Sequence, residues 1–172
     1  MKYMLCVDGS EPSFKALEFL ARMAKKGEDH ILVMSLWTLP SEFISVRGTT
    51  TAAPSTPTTP STTKEGEEEG SLTAISNDLT KQEIMHRKNY VQNLLFESKI
   101  RLEALGLSAK QLELKEEVTE DVRVGILEAA ARENVDSIVV GSRGLNAIKR
   151  MLLGSVSNYL VNNADRPVLV VR

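Results

Sequence analysis

Short, uninterrupted apolar runs recur along this chain, and each is followed by residues whose apolar members return at helical spacing. Residues 4–7, 30–37 and 136–141 are such runs. A strand that is apolar on both sides has no face to offer water, so it belongs inside a sheet covered by helices above and below. The helical stretches carry matching apolar faces: Phe14, Leu17, Leu20, Ala21 and Ala24, then Val122, Ile126, Ala129 and Ala130, then Val156, Leu160, Val161 and Ala164. Strand, helix, strand in alternation builds right-handed βαβ units and a parallel sheet. A third strand around Leu112, Leu114 and Val118 is more polar, which places it near an edge, and residues 167–171 form a terminal strand. The expected fold is α/β: a single, open, five-stranded parallel sheet of order 3-2-1-4-5 with helices on both faces, a Rossmann-like nucleotide-binding domain.

Local signals agree with this division. Ser10 can cap the first helix with Pro12 in its first turn, and Gly27 follows its end. Ile84, Lys88, Val91, Leu95, Ser98, Leu102 and Leu105 keep a 3-4 spacing that predicts the longest helix, with Gly106 as its stop. That rhythm fits packing on the sheet better than a coiled-coil seam. Acids at Glu120 and Asp121 suit the start of the next helix, which Asn134 closes.

One stretch departs from the pattern. Residues 49–63 hold eight threonines, three prolines and no large apolar side chain, and an acidic run at Glu67, Glu68 and Glu69 follows. Such a segment cannot bury enough surface to offset the entropy of ordering it. Residues 1–172 are therefore read as one domain, with a low-complexity Thr/Pro/Ser/Glu insertion at about 46–77 acting as a tether.

Composition narrows the chemistry. A net charge of -2 gives no electrostatic reason to expect nucleic acid or an acidic membrane as partner. One cysteine excludes an internal disulfide and a cysteine-based zinc site. Residues 1–8 read straight into a strand, so no signal peptide is expected and the expected location is the cytoplasm.

The fourth strand ends in Gly141-Ser142-Arg143-Gly144, and Gly154-Ser155 opens the last helix. Glycine lacks the Cβ that blocks close approach and permits positive φ, while a helix N-terminus offers unpaired N–H groups and a partial positive charge. Together they point to an anionic ligand, with a nucleotide bound by its phosphates as the expectation, and a branched side chain at Gly154 is expected to fill the phosphate's space while leaving the fold intact. In the order 3-2-1-4-5, strands one and four are neighbours and the strand order reverses between them, which is where open α/β sheets bind ligands. Asp8-Gly9-Ser10, at the end of strand one, borders the same crevice. Asp8 is suited to accept hydrogen bonds from ribose hydroxyls, or simply to shape its turn.

The chain resembles the universal stress protein family over nearly its whole length. The start LCVDGS and the end VVGSRGLNAIKRMLLGSVSNYLVNNADRPVLVVR carry the resemblance. The end fits the family's Gly-x2-Gly-x9-Gly-Ser/Thr motif at Gly141, Gly144, Gly154 and Ser155. The complete motif implies the ATP-binding branch. By the same resemblance Asp8 meets the ribose, the backbone near Ser35 meets adenine, and Gly141, Gly144, Gly154 and Ser155 surround the phosphates. Arg143 stands at a variable family position, and its contact with phosphate is an expectation of its own. Any Mg²⁺ arrives with the phosphates, since no protein metal site is evident. Members commonly dimerise, and the edge strand at 168–171 offers a route to a homodimer.

No catalytic residue is assigned. No glycine precedes the Lys-Ser/Thr pair of a phosphate-binding P-loop, His30 and His86 fall away from the crevice, and Cys6 sits in a buried strand. Trp37 either covers the adenine or packs in the core. The leading expectation is an ATP-binding regulatory or stress-response protein acting through conformation or partner choice. The alternatives are a slow ATPase or nucleotide-transfer enzyme using Asp8 and Mg-bound phosphates, and a dimeric interaction protein with a vestigial pocket.

Overall fold

The computed structural model describes residues 1–39, 66–145 and 153–172. It contains β1 (Lys2–Cys6), α1 (Glu11–Met23), β2 (His30–Trp37), α2 (Gly66–Ala104), a single 3-10 turn (Ala109–Gln111), β3 (Leu112–Val118), α3 (Val122–Arg132), β4 (Ser137–Gly141), α4 (Ser155–Asn163) and β5 (Val168–Val171). The chain divides into two units. Met1–Thr38 and Asn89–Arg172 form one, which contains the whole sheet, and Leu39–Lys88 form the other, which holds the first part of α2.

All five strands pair in parallel, in the order β3-β2-β1-β4-β5. The period-two alternation of side chains then assigns the two faces. Met4, Leu32, Met34, Ile138 and Val140 cluster with Ile126, Ala129 and Ala130 of α3 and Leu160 of α4. Tyr3, Leu5, Val33 and Val139 alternate with them and turn to the opposite face, and all four are buried. α1 packs against β1, β4 and β5, burying Ala16, Leu17, Leu20 and Ala21. Each fully buried Leu or Ile contributes about 1.5–3 kcal/mol, and such residues lie on the central strands and on the helices that cover them.

β3 is an edge strand, and its polarity has a use. Register pairs Leu32 with Glu113, Met34 with Lys115 and Leu36 with Glu117, so charged residues stand on the α3 side of this edge. Lys115 joins Glu113 at 3.0 Å and Glu133 at 2.8 Å, and Arg132 binds Glu117. The Lys115 ammonium beside Glu133, with Lys2 adding to it, holds the Glu133 carboxyl below its ordinary value of 4.5. A depressed carboxyl adds stability that is present above its unfolded pKa and lost as pH falls through the folded one. Glu133→Gln should therefore cost about 1 kcal/mol at neutral pH, the scale of a partly exposed ion pair. In urea melts the gap from the parent should shrink below pH 4.5.

The start of the long helix differs from the sequence expectation. α2 begins at Gly66, so residues 66–77 are helical rather than part of the tether, while the rest of the expected insertion, 46–65, lies outside the described residues. The proline-rich stretch stops at Pro60, and Glu67–Glu69 sit where acids favour a helix N-terminus. The buried face of α2 is Val91, Leu94, Leu95, Ser98 and Leu102, whereas Lys88 is exposed and Leu105 is 40% exposed. Ser98 is tolerated inside because its hydroxyl donates to the Leu94 carbonyl at 2.8 Å. Gly106 ends the run with φ of +95°, and Asn134 closes α3 with φ of +48°. Among the described residues no helix is long and apolar enough to cross a membrane.

Candidate functional site

The first turn of the site begins where β1 stops. Val7 still donates its amide to the Met34 carbonyl at 2.9 Å, and then Asp8, Gly9 and Ser10 leave the sheet. Gly9 takes φ of +85°, which a side chain would strain. Ser10 caps α1 by accepting from the Ser13 amide at 3.3 Å, and the Ser13 hydroxyl returns a bond to the Ser10 carbonyl at 2.8 Å. Asp8 Oδ1 accepts from the Ser10 amide at 3.0 Å, and the Ser10 hydroxyl lies 2.6 Å from the same oxygen. That hydroxyl also lies 3.2 Å from the Arg143 carbonyl oxygen. One proton cannot serve both at once, and the shorter contact to the carboxylate holds it.

The second turn begins where β4 stops. The Ser142 amide donates to the Val171 carbonyl at 2.6 Å, and the Ser142 carbonyl accepts from the Gly154 amide at 2.7 Å and the Ser157 hydroxyl at 2.9 Å. The loop after β4 is thereby tied to the first turn of α4. A Cβ built on Gly144 would lie 2.7 Å from Asp8 Oδ2, so the two strand-end turns touch. Asp8, Arg143, Gly144 and Gly154 come together in this way, and Ser155 follows as the first residue of α4, with an exposed side chain.

The glycines serve close approach, and positive φ plays no part in it. Positive φ occurs at Gly9, Gly27 and Gly106, not at the three motif glycines. A Cβ on Gly141 would lie 2.6 Å from the Pro12 carbonyl carbon and 2.7 Å from the Ser13 nitrogen, so its bareness lets β4 meet the start of α1. A Cβ on Gly154 would press on Arg143 Cα at 3.2 Å and the Ser142 carbonyl oxygen at 3.4 Å. A branched side chain there would therefore also press on the loop after β4, which would have to give by a few tenths of an ångström.

Gly154 is the N-cap of α4 and supplies no side-chain cap. The first N–H groups of a helix have no intrahelical acceptor, and its dipole places partial positive charge at that end. An anion is the natural complement.

Main-chain direction sharpens the expected adenine contact. Met34 presents its carbonyl to β1, and Trp37 presents its carbonyl to the Thr119 amide on the β3 side. Alternation makes Ser35 face β3 like Trp37, and Leu36 face the β1 side like Met34. β1 pairing ends at Cys6 opposite Met34, so the Leu36 main chain lies on the β1 side one step beyond that pairing. Ser35 itself is buried at 3% exposure, with Glu116 as its Cα partner. Sequence reading missed that Ser10 bridges the two turns.

The remaining reactive side chains lie in other settings. Cys6 has its thiol pushed up to about 12 by burial and by the Asp8 carboxylate, so it stays protonated and unreactive at neutral pH. His30 and His86 are both exposed, and His86 belongs to the second unit. Trp37 is 4% exposed, which makes it a packed residue; its indole N–H and Glu116 Oε2 are buried without hydrogen-bond partners.

A family model for the universal stress protein family matches residues 1–172. The chain belongs to the universal stress protein family. Universal stress protein YxiE of Bacillus subtilis is 26% identical over 171 residues, covering 99% of this chain and 98% of its own. A universal stress protein solved in complex with cAMP superposes with a TM-score of 0.63 at 18% identity, covering 100% of this chain and 97% of that one. An Arabidopsis thaliana family member solved with AMP bound gives a TM-score of 0.54 at 17% identity, covering 99% and 90%. At such identities the solved structures speak for the fold.

Proposed function

We propose that this universal stress protein binds ATP at the carboxyl ends of β1 and β4 and works as a regulatory stress-response module, through its conformation or choice of partner. The observation that carries this reading is the direct approach of Gly144 to Asp8 Oδ2, beside an α4 N-terminus whose N-cap, Gly154, has no side chain to cap it. Asp8 Oδ2 accepts from the ribose hydroxyls, and the Leu36 main chain beside Ser35 meets adenine. Gly144, Gly154, Ser155 and the Arg143 guanidinium enclose the phosphates, while Gly141 supports them from below. Mg²⁺ enters with the phosphates. The cAMP and AMP held by the two solved relatives support an adenine nucleotide as the ligand.

The same reading includes a cytoplasmic homodimer. β5 is an edge strand, and its residues Val168, Leu169, Val170 and Val171 all remain partly accessible. Unpaired main-chain groups and apolar side chains on one edge suit pairing with a second copy.

Calorimetric titration with ATP and Mg²⁺, followed by an assay for released phosphate, tests the proposal. Saturable binding without steady turnover is the expected result. Sustained phosphate release would replace the sensor with an enzyme, and no binding at millimolar ATP would leave only an interaction protein.

A further inference from the structure

We infer that Tyr90 is a positioning residue for the sugar end of this site, holding the Gly9 turn so that Asp8 faces the ligand. The inference rests on the ATP reading above and extends it to a residue outside the glycine motif. A Cβ built on Gly9 would overlap the Tyr90 hydroxyl oxygen and lie 3.4 Å from Tyr90 Cζ and 3.8 Å from Leu94 Cδ1. The phenol therefore rests directly on the bare Cα next to Asp8. Tyr90 is no core aromatic: it is 47% exposed, while Val91 and Leu94 beside it are 3% and 5% exposed. It reaches past the packed face of α2 to the rim of the turn, and among the described residues its hydroxyl makes no hydrogen bond. Glycine at φ of +85° has wide conformational freedom, so its geometry is set by what presses on it. Ser10 holds Asp8 from one side through Oδ1, and Tyr90 holds Gly9 from the other.

The test compares the affinities of ATP and 2′,3′-dideoxy-ATP, which lacks both ribose hydroxyls, in the full-length protein, Tyr90→Phe and Asp8→Asn. The parent should prefer ATP. Tyr90→Phe, which keeps the ring, should lose most of that preference, roughly a 10-fold change from one hydrogen bond to a charged group. Its affinity for the dideoxy compound and its melting temperature should stay near the parent's. A preference kept by Tyr90→Phe but lost by Asp8→Asn would overturn the inference alone, as would equal weakening of both ligands. A preference kept by Asp8→Asn as well would overturn the ATP assignment and the inference with it.

Discussion

Asp8→Asn should weaken ATP binding by about 10- to 100-fold, the size of one or two hydrogen bonds to a charged acceptor. The substitution is chosen for what it keeps. Asparagine retains an oxygen that can accept from the Ser10 amide and hydroxyl, as Oδ1 does now at 3.0 and 2.6 Å. It replaces Oδ2 by an amino group, which donates and cannot accept from a ribose hydroxyl. The turn should hold, and thermal unfolding should move little. Calorimetry with ATP reads the affinity, and a melting curve shows that the protein is still folded. ATP bound as tightly by the folded variant would remove Asp8 from the site.

Gly141→Val should act on stability first, lowering the melting temperature by roughly 10 °C. The cause is the missing room at β4: a Cβ already falls 2.6 Å from the Pro12 carbonyl carbon and 2.9 Å from its oxygen. Those atoms belong to the backbone at the start of α1, which cannot yield as a flexible side chain does. Overpacking of this kind costs about 3 kcal/mol, and each kcal/mol shifts a domain of this size by about 2–4 °C. Differential scanning calorimetry measures it. A variant that melts like the parent but no longer binds ATP would show that Gly141 faces the ligand rather than α1.

Much of the fold was legible before any coordinates. The run at 30–37 is β2 residue for residue, the polar third strand lies at the sheet edge, and Gly106 and Asn134 end their helices with positive φ. These signals are local. A doubly apolar run has one place to go, and a left-handed residue at a helix end is written in its own backbone preference. The start of α2 at Gly66 escaped because composition was read as a block, although the prolines stop at Pro60.

The candidate site was legible only in part. Sequence spacing named Asp8, Gly141, Arg143, Gly144, Gly154 and Ser155, and it placed the strand order that makes β1 and β4 neighbours. What Gly141 and Gly144 are bare for depends on residues more than a hundred positions away: Pro12 for Gly141 and Asp8 for Gly144. The Ser10 hydroxyl at Arg143 and Tyr90 at Gly9 are likewise brought together across long stretches of chain. By itself the chain's order of apolar runs and turn residues determined the α/β class and the parallel sheet, and the expected strand order 3-2-1-4-5 agrees with the one observed. Only the tertiary structure decided which bare Cα atoms are already pressed by the protein itself, as at Gly141 and Gly144. Periodicity and backbone preference act between near neighbours in the chain, whereas close approach is settled by atoms that folding brings together.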